Sequence, residues 1–294
     1  MITKLDCLQL GLLVAATLVA GCSLFRRVCA ALIVACSFAL VRFAPENPFS
    51  RGCYALVAVV TFMVTVKLAF FSGQGLSVRN RLFHLLSLDP PKRAGHIAST
   101  GSPRVVIHIV LAGLLFSAAL LTLLRTRYFT GMAVTTLRLI AGVVFIYTTA
   151  QIAFEFAHFC MLAAGVSPNS LHRTPIAARS VREFWGNRWN RVVSAWLGRF
   201  VFFPLARRRR PALGLLCAFL VSGAIHGWPM MVALDAPAAF ATMAFFVLQA
   251  VFILMEDRFH VRTWPVPLAR AWTLAVLLAS SPLFVNPGLR LFGL

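Results

Sequence analysis

Long apolar runs separated by short polar or basic breaks dominate the chain. Eight of them, near 8–25, 28–44, 53–72, 104–124, 133–164, 211–234, 238–256 and 268–286, come close to or exceed the ~20 residues that carry a helix across ~30 Å of hydrocarbon. Nothing in the pattern shows the ten-residue alternation of barrel strands. Backbone polar groups in lipid also need partners within their own segment. The pattern therefore predicts an all-α, polytopic membrane protein of about eight transmembrane helices. No linker, low-complexity tract or repeat divides it, so residues 1–294 read as a single membrane-embedded domain.

Composition agrees with the pattern. Of 294 residues, 60% are hydrophobic and 12% charged, with a mean hydropathy of +0.84, which excludes a soluble domain. The first run, following Lys4 and ending in Ala20-Gly21-Cys22, resembles a secretory leader. Its length, Asp6 in the flank and the span that follows at once favour a retained helix. The seven cysteines lie mostly inside apolar runs without metal-ligand spacing, and read as small core hydrophobes rather than disulfides or a zinc site.

Charge then fixes an orientation. The chain carries 28 Lys and Arg against 8 Asp and Glu. Twenty of the basic residues fall in the stretches 26–27, 73–104, 165–210 and 258–270, and six on the opposite set of connections. The positive-inside rule makes the first set cytoplasmic and places both termini outside; together with the compact chain, this points to a bacterial inner membrane. In a polytopic protein such charge faces anionic headgroups, so no nucleic-acid partner is expected.

Within 165–210, Ser180 with Glu183 three residues on forms a capping-box pattern. Phe184, Trp185, Trp189, Val192, Val193, Trp196 and Phe200 then recur at helical spacing, opposed by Arg182, Arg188, Arg191 and Arg199. This predicts one cytoplasmic interfacial amphipathic helix in the headgroup plane. A simple anchor has no need of Asn187 and Asn190 flanked by tryptophans and arginines. Downstream, His226 sits in the apolar run Phe219–Ile225, where an ionisable side chain costs about 2–4 kcal/mol and is kept for a task.

Phe184-Trp185-Gly186-Asn187-Arg188-Trp189-Asn190 resembles the Phe-Trp-Gly-x-Arg-Trp-Asn signature of the wax synthase-like branch of the membrane-bound O-acyltransferases. Phe219-Leu220-Val221-Ser222-Gly223-Ala224-Ile225-His226 resembles the span that carries that family's histidine, and a weaker likeness extends over about 175–290. The branch often has an acidic residue after the histidine; this chain has Gly227.

The resemblance implies transfer of a fatty acyl group from a thioester donor, acyl-CoA, to the hydroxyl of a lipidic alcohol, without a cofactor. His226 would act as general base and Asn190 beside it as oxyanion or thioester partner. Arg188 and Arg191 would take CoA phosphates, Trp185 or Trp189 would stack on adenine, and Asn187 and Gln249 would line the substrate site. Pro229, four residues after Ile225, predicts a kink beside the site. Within the same chemistry, a sterol, terpenoid or other hydroxylated acceptor is the alternative.

A transporter or non-catalytic lipid-binding protein is the reading from another class, with Lys67, Arg138, Glu155 and His226 marking a path. Glu155 and His158 form a single Glu-x-x-His pattern, which reads as a hydrogen-bonded pair rather than a metal site. Membrane lipids are the expected surroundings, and the sequence leaves the oligomeric state open.

Overall fold

A computed structural model describes residues 4–20, 24–70, 103–163 and 172–294. The loop expected at 73–103, with His84 and His96, and the side chains of His108 and His158 lie outside what is described. The helices are α1 (Lys4–Val19), α2 (Leu24–Leu40), α3 (Pro48–Phe70), α4 (Pro103–Thr126), α5 (Met132–Ala163), α6 (Arg191–Leu197), α7 (Pro211–Ala233), α8 (Ala236–Arg258), α9 (Val266–Ser280) and α10 (Pro282–Leu291). Several single turns fill the segment 175–206, and no strand occurs among the described residues.

The fold is therefore all-α and polytopic, and each of the eight apolar runs falls on a helix. Among the described residues, five helices are long and apolar enough to cross a membrane, and α9 with α10 makes a sixth as a pair bent by 49°. The first two are only 16 and 17 residues long. The outward faces stay apolar, with Leu111, Leu114, Leu115 and Leu121 of α4 each about half exposed. In water such a face would be a liability; in lipid it is the solvated side.

Helices in lipid gain little from apolar burial against one another, so they pack where small residues let backbones approach. On α7, a Cβ at Gly227 would stand 2.8 Å from Met243 Cγ and 3.0 Å from the Ala239 carbonyl, and one at Gly223 3.2 Å from Met243 Cα. These two glycines, four apart, seat α7 directly on α8. Gly142 of α5 does the same against Val285 and Leu289 of α10. At the other side of the bundle, Gln9 of α1 donates to Ser37 Oγ (3.0 Å) and to the Tyr54 carbonyl (3.2 Å), tying α1 to α2 and α3.

The expected amphipathic helix over 180–200 is not one continuous helix. Ser180 caps as expected, its hydroxyl accepting from the Glu183 amide at 2.9 Å, but the helix lasts one turn and passes into a widened turn over Phe184–Arg188. At Asn190 the backbone enters the left-handed region (φ 37°, ψ 60°) before α6 starts, a conformation Asn tolerates better than other side chains. A Gly198–Phe202 turn then interrupts the run again. The segment is also sunk into the protein. Trp196 is buried against Val59 and Met63 of α3 and donates Nε1–H to the Met63 carbonyl at 3.0 Å. Tertiary contacts thus override the helical period.

Two charges within the spans make short-range hydrogen bonds: Arg138 donates to the Leu123 carbonyl at 3.0 Å, and Glu155 accepts from Gln151 at 2.9 Å. Lys67 is 1% exposed.

Candidate active site

His226 lies in the middle of α7, where its Nδ1 is 2.8 Å from the carbonyl oxygen of Ser222, one turn back. A carbonyl can only accept, so Nδ1 carries the proton and the lone pair sits on Nε2. The ring stacks on Phe246 of α8 with centroids 4.4 Å apart, while Phe284 of α10 stands 6.2 Å away at a steep angle. The two packing glycines flank this histidine, which explains Gly227: no side chain fits there without separating α7 from α8. The helix runs unbroken through Pro229, whose missing N–H leaves the Ile225 carbonyl without its helical donor.

A cavity of about 1060 Å³ opens beside His226, walled by α5, α7, α8, α9, α10 and the 175–203 segment. Its walls are mostly apolar, with phenylalanine and leucine the commonest residues, and His226, Asn187, Asn190, Ser194 and Tyr147 are among the polar groups. A large apolar pocket with a few convergent polar groups is the arrangement expected of a small-molecule site.

The signature segment supplies one side of that cavity. Trp185 packs on Phe246 at 5.6 Å, so it and His226 share one ring as neighbour. Trp189 stands 5.5 Å from Tyr147 and 4.4 Å from the ring of His172. Asn190 caps α6, its Oδ1 accepting from the Val193 amide at 3.3 Å. That contact turns the amino group, Nδ2, away from the helix as a donor. Asn187 and Arg191 are exposed cavity residues.

Two expected substrate contacts are placed elsewhere. Arg188 is not a cavity wall: its guanidinium pairs with Glu183 (Nε–Oε1 2.7 Å) and donates to the carbonyls of Arg173 and Thr174, both at 3.1 Å. Burial pulls the Glu183 carboxyl upward, but the Arg179 amide and the Arg188 guanidinium outweigh it and hold the group below its ordinary value. Gln249 lies fully buried behind the wall. It accepts from Trp185 Nε1 at 3.3 Å and donates to Ser280 Oγ at 2.9 Å. Both residues hold the shape of the site.

Sequence reasoning missed three residues. Phe246 carries the contact between Trp185 and His226. Glu256, 3% exposed on α8, accepts from the amides of Val181 (2.6 Å) and Arg182 (3.2 Å) and from Trp272 Nε1 (3.2 Å), fastening the start of the signature segment to the bundle. His172 accepts at Nδ1 from the Asn190 amide at 3.1 Å, and burial pushes its pKa down to about 4. An acidic pair at a span end, Glu256-Asp257, was a visible signal; His172 had none.

Fold and site together define a polytopic helical membrane protein with an apolar cavity into which one span presents a histidine and one loop an asparagine. Residues 168–248 match the membrane bound O-acyl transferase family, a stretch that contains both residues, so the resemblance read from the two motifs is borne out there. The chain is 28% identical over 141 residues to a probable long-chain-alcohol O-fatty-acyltransferase 2 of Arabidopsis thaliana, covering 45% of this chain and 41% of that protein. A similar match, 31% over 148 residues, covers 45% and 42% with number 3 of the same series. The long-chain-alcohol O-fatty-acyltransferase of Simmondsia chinensis is 34% identical over 90 residues, 28% of this chain and 26% of its own. The chain spans less than half the length of these relatives.

Proposed function

We propose that this protein is a membrane-embedded O-acyltransferase that moves a fatty acyl group from acyl-CoA to the hydroxyl of a lipidic alcohol, with the 172–210 segment on the cytoplasmic face and both termini outside. The observation that carries the reading is His226 at the wall of a large apolar cavity, its Nδ1 2.8 Å from the Ser222 carbonyl oxygen. Asn190 on the same cavity and relatives named for fatty acyl transfer to long-chain alcohols support it.

In this reaction Nε2 of His226 takes the proton of the alcohol as its oxygen attacks the thioester carbonyl. Asn190 Nδ2 donates to the oxyanion that forms. Collapse breaks the carbon–sulfur bond, and the departing thiolate recovers the proton from the imidazolium, leaving ester and free CoA. The Ser222 carbonyl steadies the imidazolium that forms in between, a role a carboxylate plays in other sites. Arg191, at the cavity wall, meets the donor's phosphates in this scheme. An apolar cavity of this size suits an alkyl chain. Of Lys67, Arg138, Glu155 and His226, only His226 lines it, which disfavours a charged permeation path.

The deciding experiment supplies purified protein with acyl-CoA and a panel of alcohols and measures free CoA. Alcohol-dependent release that disappears in His226→Ala is expected. Release that persists in that variant removes the general-base role, and none from the native protein with any acceptor removes the enzyme.

A further inference from the structure

The geometry points to His172 as a positioning residue for the proposed reaction: it sets the left-handed turn at Asn190 and the plane of Trp189 at the cavity wall. This rests on the assignment of Asn190 to the site, and it goes beyond that assignment by naming what holds the asparagine there.

Asn190 occupies φ 37°, ψ 60°, a sparsely populated conformation for a residue with a side chain, which persists only where the surroundings impose it. It is also the residue that caps α6, so its own N–H has no helical acceptor. His172 Nδ1 supplies that acceptor from eighteen residues upstream. The same imidazole lies 4.4 Å from the Trp189 ring and 5.0 Å from Phe154 of α5. One side chain therefore links the turn, the neighbouring tryptophan and a transmembrane helix.

The contact is part of a lacing between two short segments. The Arg173 amide donates to the Arg188 carbonyl at 2.9 Å, and Arg188 donates back to the carbonyls of residues 173 and 174. With 172–174 fastened to 188–190, the backbone of Asn190 is fixed at one end by His172. Its side chain is fixed at the other by the Val193 amide. Both constraints leave Nδ2 as the free end, so the direction of that donor depends on the imidazole. His172 touches no reacting atom in this arrangement.

The test uses full-length protein in detergent and two substitutions that separate ring from acceptor. His172→Phe keeps a ring on Trp189 and deletes the acceptor; His172→Asn places an oxygen where Nδ1 was. Hydrogen–deuterium exchange of the peptide covering 186–194 and steady-state kinetics of CoA release are measured on both. The Phe variant is expected to exchange about tenfold faster over that peptide and to lose about tenfold in kcat with KM within about twofold, while Asn returns both toward the native values. Should the Phe variant not be recovered folded, His172→Gln, whose amide reaches past the Nδ1 position, takes its place.

Unchanged exchange and kcat in the acceptor-deleted protein overturn the inference, as does a loss that Asn fails to reverse. If the native protein releases no CoA, the proposed enzyme fails while the exchange data still decide whether His172 holds the turn.

Discussion

The Nδ1 of His226 and the carbonyl oxygen of Ser222 lie 2.8 Å apart within one helix. This i to i−4 contact uses an acceptor that the helix already provides, so the base is oriented without a second side chain. Replacing His226 by Ala is expected to lower kcat for ester formation by about 10²–10⁴-fold, the range of a lost general base, with little change in thermal stability. CoA release and thermal unfolding on the same preparation check this; an equal fall in Tm and activity would mean that the ring is structural.

Asn190→Ala removes the Nδ2 donor together with the cap on Val193. An oxyanion donor contributes about 3 kcal/mol and a helix cap about 1 kcal/mol. The expected result is a loss in kcat well beyond what the stability change accounts for. Asn190→Asp keeps the cap and loses the donor, so it should retain the native Tm yet remain as slow as the Ala variant.

Gly227 bears on the missing acidic residue. An added Cβ there meets Met243 Cγ at 2.8 Å and the Ala239 carbonyl at 3.0 Å. The methionine can swing away, but the backbone oxygen cannot. Gly227→Ala is expected to destabilise the protein by about 1–3 kcal/mol through overpacking. Gly227→Asp, which restores the branch's usual chemistry, should cost more and gain no activity. A Gly227→Asp protein that is both stable and faster would show that α7 and α8 separate freely.

These sites show what the sequence could and could not reveal. Each of the eight apolar runs falls on helix, the last on the bent pair α9 and α10, because lipid penalises any unpaired backbone and leaves the helix as the only local solution. Run length alone does not separate crossing helices from shorter ones: over their described stretches the first two helices are 16 and 17 residues long. The helical period of the aromatics over 184–200 misled for another reason: Trp196 is buried by α3 rather than by the membrane surface, and periodicity does not reveal which neighbour covers a face. Arg188 looked like a phosphate ligand because its spacing from Glu183 says nothing about which carbonyls its fork will meet. His226 and Asn190 were legible as a pair only through the motif; that they share one cavity required the fold.

Glu256 offers a stability test remote from the chemistry. Its buried carboxylate receives two amides and an indole, so Glu256→Ala leaves three donors without an acceptor and is expected to cost about 2–4 kcal/mol. Limited proteolysis within 175–190 should accelerate with it. Glu256→Gln keeps one acceptor oxygen and should fall between the two. Equal protection of all three proteins would mean that the segment is held from the other side, by the 172–174 lacing alone.

The final prediction concerns acid. His172 has a pKa of about 4 in the folded protein against an ordinary 6.5, because burial disfavours the imidazolium, and a proton on Nδ1 would face the Asn190 N–H with another donor. The unfolded or loosened segment binds the proton first. The histidine's contribution is therefore intact above pH 6.5 and is lost as pH falls from 6.5 toward 4. The neighbouring Glu183 is held below its ordinary 4.5, so its contribution is lost only at pH values under that. Between pH 6.5 and 4.5, exchange of the 186–194 peptide, corrected for the intrinsic rate, should rise in the native protein and stay flat in His172→Asn. A rise of the same size in both proteins would assign the acid response to a different group.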